Sequence, residues 1–199
     1  MNKSSSNLLL KKFGNTNKSY SNRGMCLESD INLSNEYYKV NDIAYINKKP
    51  TPIKLVKVDY HKNMIKEAYF DTPSTTDYNG IYKGKYIDFE AKETTSKTSF
   101  SLSNIHTHQI NHLINVLNHG AISFIIVRFT LLDKTFLLDT KYLKDFIDNN
   151  TRKSIPLEYF EKNGKEIKIK YNPRLDYIEV INKIHLGGYY EKKKKNRTS

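Results

Sequence analysis

The chain has 199 residues, 38% of them apolar and 12% aromatic, which is enough for one buried core and does not require a second domain. Its 33 Lys and Arg against 21 Asp and Glu leave a net charge of +12, a balance that suits a polyanionic partner such as nucleic acid. The longest apolar run, Ala121 to Phe129, is interrupted by Ser123 and Arg128 and is too short to span a bilayer. A single cysteine, Cys26, excludes an internal disulfide, and the start "MNKSSSNLLLKKFG" lacks the apolar stretch of a signal peptide, so a cytoplasmic protein without membrane attachment is expected.

Residues 1–21, rich in Ser, Asn and Lys, read as a flexible basic tail, and 189–199, with the run "KKKK", as a second. The ordered domain is expected over 22–188. A first helix is predicted over Asn22 to Tyr38 from the spacing of Leu27, Ile31 and Tyr38. "DIAYINKK" follows as a strand closed by "PTP". Next, "IKLVKVDYH" and "IKEAYFD" alternate as a hairpin-like arm with turn residues between them. "DYNGIYKGKYIDFEAKE" predicts two antiparallel strands, with Asn79-Gly80 as a bend or bulge and Lys83-Gly84-Lys85 as the turn. In "SLSNIHTHQINHLINVLNHG", Ser103 or Asn104 caps a helix whose stripe is Ile105, Leu113 and Val116 and which Gly120 ends. "AISFIIVRF" is a buried strand, "KTFLLDT" its hairpin partner and "KYLKDFIDNN" a helix; short strands or turns and a final helix or coil near 174–185 complete the chain. Hairpin-paired strands crossed by a long helix predict an α/β fold with a mixed central sheet flanked by helices.

Within the second predicted strand, the period of two turns Ile87, Phe89 and Ala91 toward a core and sets Asp88, Glu90 and Lys92 on the opposite side. Three charges on one strand face are ordinary if that face meets solvent, so the neighbouring segments decide. An Asp in "TTDYNG", Glu90-Ala91-Lys92 thirteen positions later and a Gln-bearing helix follow the order of a PD-(D/E)xK nuclease core. The blocks "NRGM" (22–25), "KKPTP" (48–52), "STTDYNGIYKGKYIDFEAKET" (74–94) and "HTHQINH" (106–112) resemble the RecU family of Holliday-junction resolvases over roughly residues 20–190.

The resemblance implies a restriction-endonuclease-like core with a projecting stalk and an endodeoxyribonuclease that resolves four-way DNA junctions by paired nicks in recombination and repair. It implies Mg²⁺, with Mn²⁺ able to substitute, held at positions matching Thr75, Asp77, Glu90 and Gln109. Phosphodiester hydrolysis needs an activated water and charge stabilisation, for which Asp77 and Glu90 are hard oxygen ligands and Lys92 a transition-state cation. Glu28 resembles an accessory acid of the superfamily, with a surface or capping role as the alternative. Asp88 competes with Asp77 for the role of site acid, and the family pattern favours Asp77. His108 and His112 have the i, i+4 spacing of zinc ligands and, with His106, offer a second metal reading; DNA-facing or packing roles are the bland one.

The resemblance further implies a homodimer with two active sites, junction and other branched DNA as partners, and contacts to recombinase or branch-migration proteins. The stalk falls near 57–72, with Lys57, His61, Lys62 and Lys66 available to phosphates and Tyr60, Tyr69 and Phe70 to packing or base contact, where the residues alone would read as a solvated hairpin; Arg23, in "NRGM", is a further DNA-binding candidate. Two other functions remain open: a non-cleaving branched-DNA-binding protein, and a PD-(D/E)xK nuclease acting on other DNA structures.

Overall fold

The computed structural model describes residues 26–71 and 75–187. Both tails, Arg23, Thr72 and the expected helix start at Asn22 lie outside the described residues. Helix α1 runs Leu27–Val40 and is followed by strand β1 (Tyr45–Lys48). Strands β2 (Ile53–Asp59) and β3 (Met64–Phe70) form a hairpin, and β4 (Tyr78–Tyr82) and β5 (Lys85–Thr94) a second one. The short β6 (Ser99–Ser101) leads to helix α2 (Thr107–Asn118), then β7 (Ile122–Phe129) and β8 (Lys134–Asp139). Helix α3 (Thr140–Asn149), β9 (Ser154–Pro156), helix α4 (Leu157–Asn163), β10 (Lys165–Glu166) and helix α5 (Tyr177–His185) end the described chain.

The central sheet has the order β1-β4-β5-β7-β8-β10, antiparallel except for the β5–β7 pair. Parallel neighbours need a crossover between them, and α2 lies within that connection. The expected mixed sheet flanked by helices is the observed architecture. All eight residues of β7 are buried, because apolar layers cover both faces of the sheet. On one side Leu27, Ile31 and Tyr38 of α1 and Tyr177, Ile178 and Ile181 of α5 pack on Ile87, Phe89, Phe124 and Ile126. On the other, Leu113 of α2, Leu143 and Phe146 of α3 and Phe160 of α4 pack on Ile125, Val127 and Leu138. The rings of Tyr78, Phe89 and Phe124 stack in sequence across three adjacent strands, with centroids 4.9 and 4.8 Å apart.

Three local expectations are corrected. Asn79-Gly80 is neither bend nor bulge: β4 pairs with β5 in unbroken register from Tyr78↔Phe89 to Tyr82↔Lys85. Gly80 is there because β1 passes so closely that a Cβ would lie 2.2 Å from the Tyr45 carbonyl oxygen and 2.6 Å from Ile46 Cα. Ser103 and Asn104 belong to a separate 3₁₀ turn, Leu102–Asn104, so α2 begins after His106, and Ile105 is buried ahead of the helix rather than on its stripe. Helix α4, read from the sequence only as strands or turns, has seven residues, too few to display a period, yet it buries Phe160 completely.

The β2–β3 hairpin forms a two-stranded sheet of its own. Its first strand starts at Ile53, where "IKLVKVDYH" begins, and most of its side chains on both faces are exposed, including Leu55, Val56, Ile65, Tyr69 and Phe70.

Candidate active site

Strand β5 carries the acids into the interior. Its alternate residues Ile87 and Phe89 belong to the α1 side of the sheet, so Asp88 and Glu90 emerge on the side covered by α2, and both are fully buried. The Glu90 carboxylate is held on both oxygens. Oε1 accepts from Lys92 Nζ at 2.5 Å and from Gln109 Nε2 at 2.9 Å, while Oε2 accepts from the Asp77 backbone N–H at 3.1 Å. Asp77 is held in return by β5, its Oδ2 accepting from the Ala91 N–H at 3.2 Å. Burial and, after it, the neighbouring Asp77 charge push the Glu90 carboxyl up from 4.5 to about 7, against the opposite pull of Lys92.

Gln109 reaches Glu90 because it sits on the buried face of α2, one turn before Leu113. Its Oε1 accepts from the His106 backbone N–H at 3.0 Å, so a single amide closes the first turn of α2 and orients Glu90. A cavity of about 260 Å³ opens beside these groups, lined by Asp77, Lys92, Glu28, Glu93 and the exposed Cys26, among others. Glu93 Oε1 accepts from the Leu27 N–H at 2.8 Å and fixes the start of α1 against β5, and Glu28 pairs with Lys48 at 2.6 Å across the surface.

Asp77, Glu90, Lys92 and Gln109 therefore converge, and Glu28 shares the lining of the cavity with Asp77 and Lys92. Thr75, two positions before Asp77, is exposed, and its hydroxyl accepts from Lys49 Nζ at 3.1 Å. Asp88 does not reach the cavity and is enclosed by donors. Lys49 Nζ (2.9 Å), the Tyr86 hydroxyl (2.8 Å) and His112 Nε2 (3.2 Å) surround Oδ2, and the Thr76 hydroxyl donates to Oδ1. His112 thus pairs with Asp88, whereas His106 and His108 are exposed and stack on one another with ring centroids 5.5 Å apart. Lys57, His61, Lys62 and Lys66 are exposed on the hairpin, Lys66 paired with Asp59 at 2.9 Å. The sequence reading singled out neither Lys49 nor Thr76; the one available signal was their place in the "KKPTP" and "STTDYNG" blocks.

Two adjacent carboxylates, one buried with a raised proton affinity, form a hard oxygen donor set that a divalent cation fits. Among the described residues no three His, Cys, Asp or Glu side chains converge as a metal site. Comparison with known proteins gives the family of the chain. The profile of the RecU family, described as recombination protein U, matches residues 22–183. Holliday junction resolvase RecU of Geobacillus sp. (strain WCH70) is 54% identical over 174 residues, covering 84% of this chain and 87% of that protein. Its namesake from Bacillus cereus (strain B4264) is 53% identical over the same shares. Among solved structures, the Holliday junction resolvase Hjc of Archaeoglobus fulgidus aligns with 46% of this chain and 69% of its own, at 15% identity and a TM-score of 0.33. By the family profile and by relatives identical at more than half of the aligned positions, the chain belongs to the RecU family.

Proposed function

We propose that this chain is a divalent-metal-dependent endodeoxyribonuclease that resolves four-way DNA junctions in recombination and repair, with Mg²⁺ as the metal. The observation that carries the reading is the Asp77–Glu90–Lys92 group, in which Asp77 and Lys92 line an open cavity and the buried Glu90 is bonded to both, within a chain identical to Holliday junction resolvases at more than half of the aligned positions. Asp77 and Glu90 supply the charged oxygens, and the Gln109 carbonyl, which has a second lone pair beyond the one facing His106, and Thr75 are the neutral candidates. Bound there, the cation supplies Lewis-acid charge neutralisation on the scissile phosphate and lowers the pKa of a bound water. Gln109 keeps Glu90 in one orientation, and the Ala91 N–H does the same for Asp77. Lys92, partly exposed, holds a positive charge where the phosphate arrives and where negative charge grows in the transition state.

None of these groups reads a base, so selection for a branch must come from shape. A two-fold homodimer places two such centres on opposing strands, and the β2–β3 hairpin is the stalk that occupies the open centre of the junction. No helix among the described residues is long and apolar enough to cross a membrane.

The test is cleavage of a synthetic four-way junction, a linear duplex and a flap by the purified chain, with Mg²⁺ or with chelator. Paired nicks in the junction that need the metal are expected. Asp77→Asn and Glu90→Gln are expected to lower cleavage at least ~100-fold while junction binding persists. Binding without cleavage would make the chain a junction-binding protein, and equal cutting of all three substrates would make it a nuclease of another specificity.

A further inference from the structure

Asp88 is a buried carboxylate that the proposed chemistry does not use, yet four side chains converge on it, and two of these bear on the segment that presents Asp77. Thr76 is fully buried and donates its hydroxyl to Asp88 Oδ1. Lys49 Nζ reaches Thr76 Oγ1 at 2.5 Å, Thr75 Oγ1 at 3.1 Å and Asp88 Oδ2 at 2.9 Å. The backbone of Lys49 takes part as well, its N–H donating to the Asp77 carbonyl at 2.8 Å. Residues 75, 76 and 77 are thus each bonded to Lys49, and Asp88 anchors the Lys49 ammonium from the neighbouring strand. The Asp77 N–H then meets Glu90, only two positions along β5 from Asp88.

We infer that Asp88, Lys49 and Thr76 form a positioning device for the metal site: Asp88 fixes Lys49 and Thr76, which set residue 77 in the place where its carboxylate and that of Glu90 serve one cation. The alternative, a buried ion pair that only stabilises the fold, accounts for the Lys49–Asp88 contact. It does not account for a lysine that spends its remaining donors, and its own N–H, on three consecutive residues ending at the site acid. His112 and Tyr86 complete the enclosure from α2 and β5 and keep Asp88 from turning toward the cavity. In metalloenzymes, removal of such outer partners costs about 10- to 100-fold in metal affinity or activity.

This inference rests on Asp77 being a site acid, and Asp77→Asn is therefore the reference variant. The informative change is Thr76→Val, which keeps the shape of the buried side chain and removes the hydroxyl. Mg²⁺ binding to the full chain without DNA is measured by calorimetry, together with the Mg²⁺ dependence of junction cleavage, junction affinity in chelator and the melting temperature. Thr76→Val is expected to weaken Mg²⁺ binding about tenfold and to raise the Mg²⁺ needed for half-maximal cleavage by a similar factor, with junction affinity in chelator unchanged. Thr76→Ser, which restores the hydroxyl, is expected to return both to wild type. Lys49→Gln, which retains a donor but not the charge, gives a second reading if the valine variant does not fold, and a tenfold loss is expected there too. A folded Thr76→Val or Lys49→Gln chain that binds Mg²⁺ like wild type, while Asp77→Asn does not, overturns the positioning role. If Asp77→Asn itself binds and cleaves normally, the assignment of the site fails instead.

Discussion

Glu90 is the residue at which folding and function pull in opposite directions. A carboxyl group raised from 4.5 to about 7 by burial and by Asp77 binds its proton more tightly in the folded chain than in the unfolded one. The stability this proton confers is fully present below the unfolded value, near pH 4.5, and is lost as pH rises through about 7. A shift of this size corresponds to on the order of 3 kcal/mol. The metal-free protein is therefore expected to lose melting temperature between pH 5 and pH 8, relative to a Glu90→Gln chain, in which nothing titrates at that position. The check is a pair of thermal melts in chelator across that range, and parallel profiles would show that Lys92 already neutralises the carboxylate. The same proton competes with the cation, so Mg²⁺ affinity is expected to rise over the same interval.

At the scale of elements, the contact of β1 with β4 is the one on which the geometry of the site depends, because β1 ends next to Lys49. Gly80→Ala would place a methyl group inside the backbone of Tyr45 and Ile46, and those atoms cannot rotate away as a side-chain tip would. Separation of the two strands is expected, with a loss of about 3 kcal/mol and a melting temperature lower by roughly 5–10 °C, measured by circular dichroism. An unchanged melt would mean that β1 shifts without cost. Elements of this kind also mark the limit of what the sequence discloses. The β4–β5 hairpin was legible because its alternation is strict and Lys83-Gly84 carries the two positive φ values of a tight turn, and the position of Gln109 followed from its helical offset to Leu113. Gly80 was misread because a close approach by another strand leaves no local trace, and α4 because seven residues carry less than two full helical turns of pattern. Asp88 read as a competitor of Asp77 for the same reason: its enclosure by Lys49, Tyr86 and His112 is made of contacts 39, 2 and 24 positions apart, of which only the shortest is visible locally.

For the whole molecule, the division of labour between sheet and hairpin can be tested directly. Replacing 56–67 by a short Gly/Ser turn keeps the first three hairpin pairs, from Ile53↔Phe70 to Leu55↔Ala68, and removes the exposed tip. The shortened chain is expected to fold and to bind Mg²⁺ like wild type while its preference for a four-way junction over a linear duplex disappears, measured by binding and nicking at matched salt. A folded chain that still cuts the junction symmetrically would place selection in the groove between protomers. The expected independence has a structural basis at the neck of the hairpin. Asp71 N–H donates to the Pro52 carbonyl at 3.1 Å, and Lys49 is bonded to Thr75 and Asp77 just beyond it, so the two chain ends entering and leaving the insertion are cross-tied before they reach the sheet. On the proposed role of the arm, bending against DNA would be absorbed above that tie, and a change in the arm's length or tip would alter the branch geometry it fits without a compensating change in the cleavage centre below.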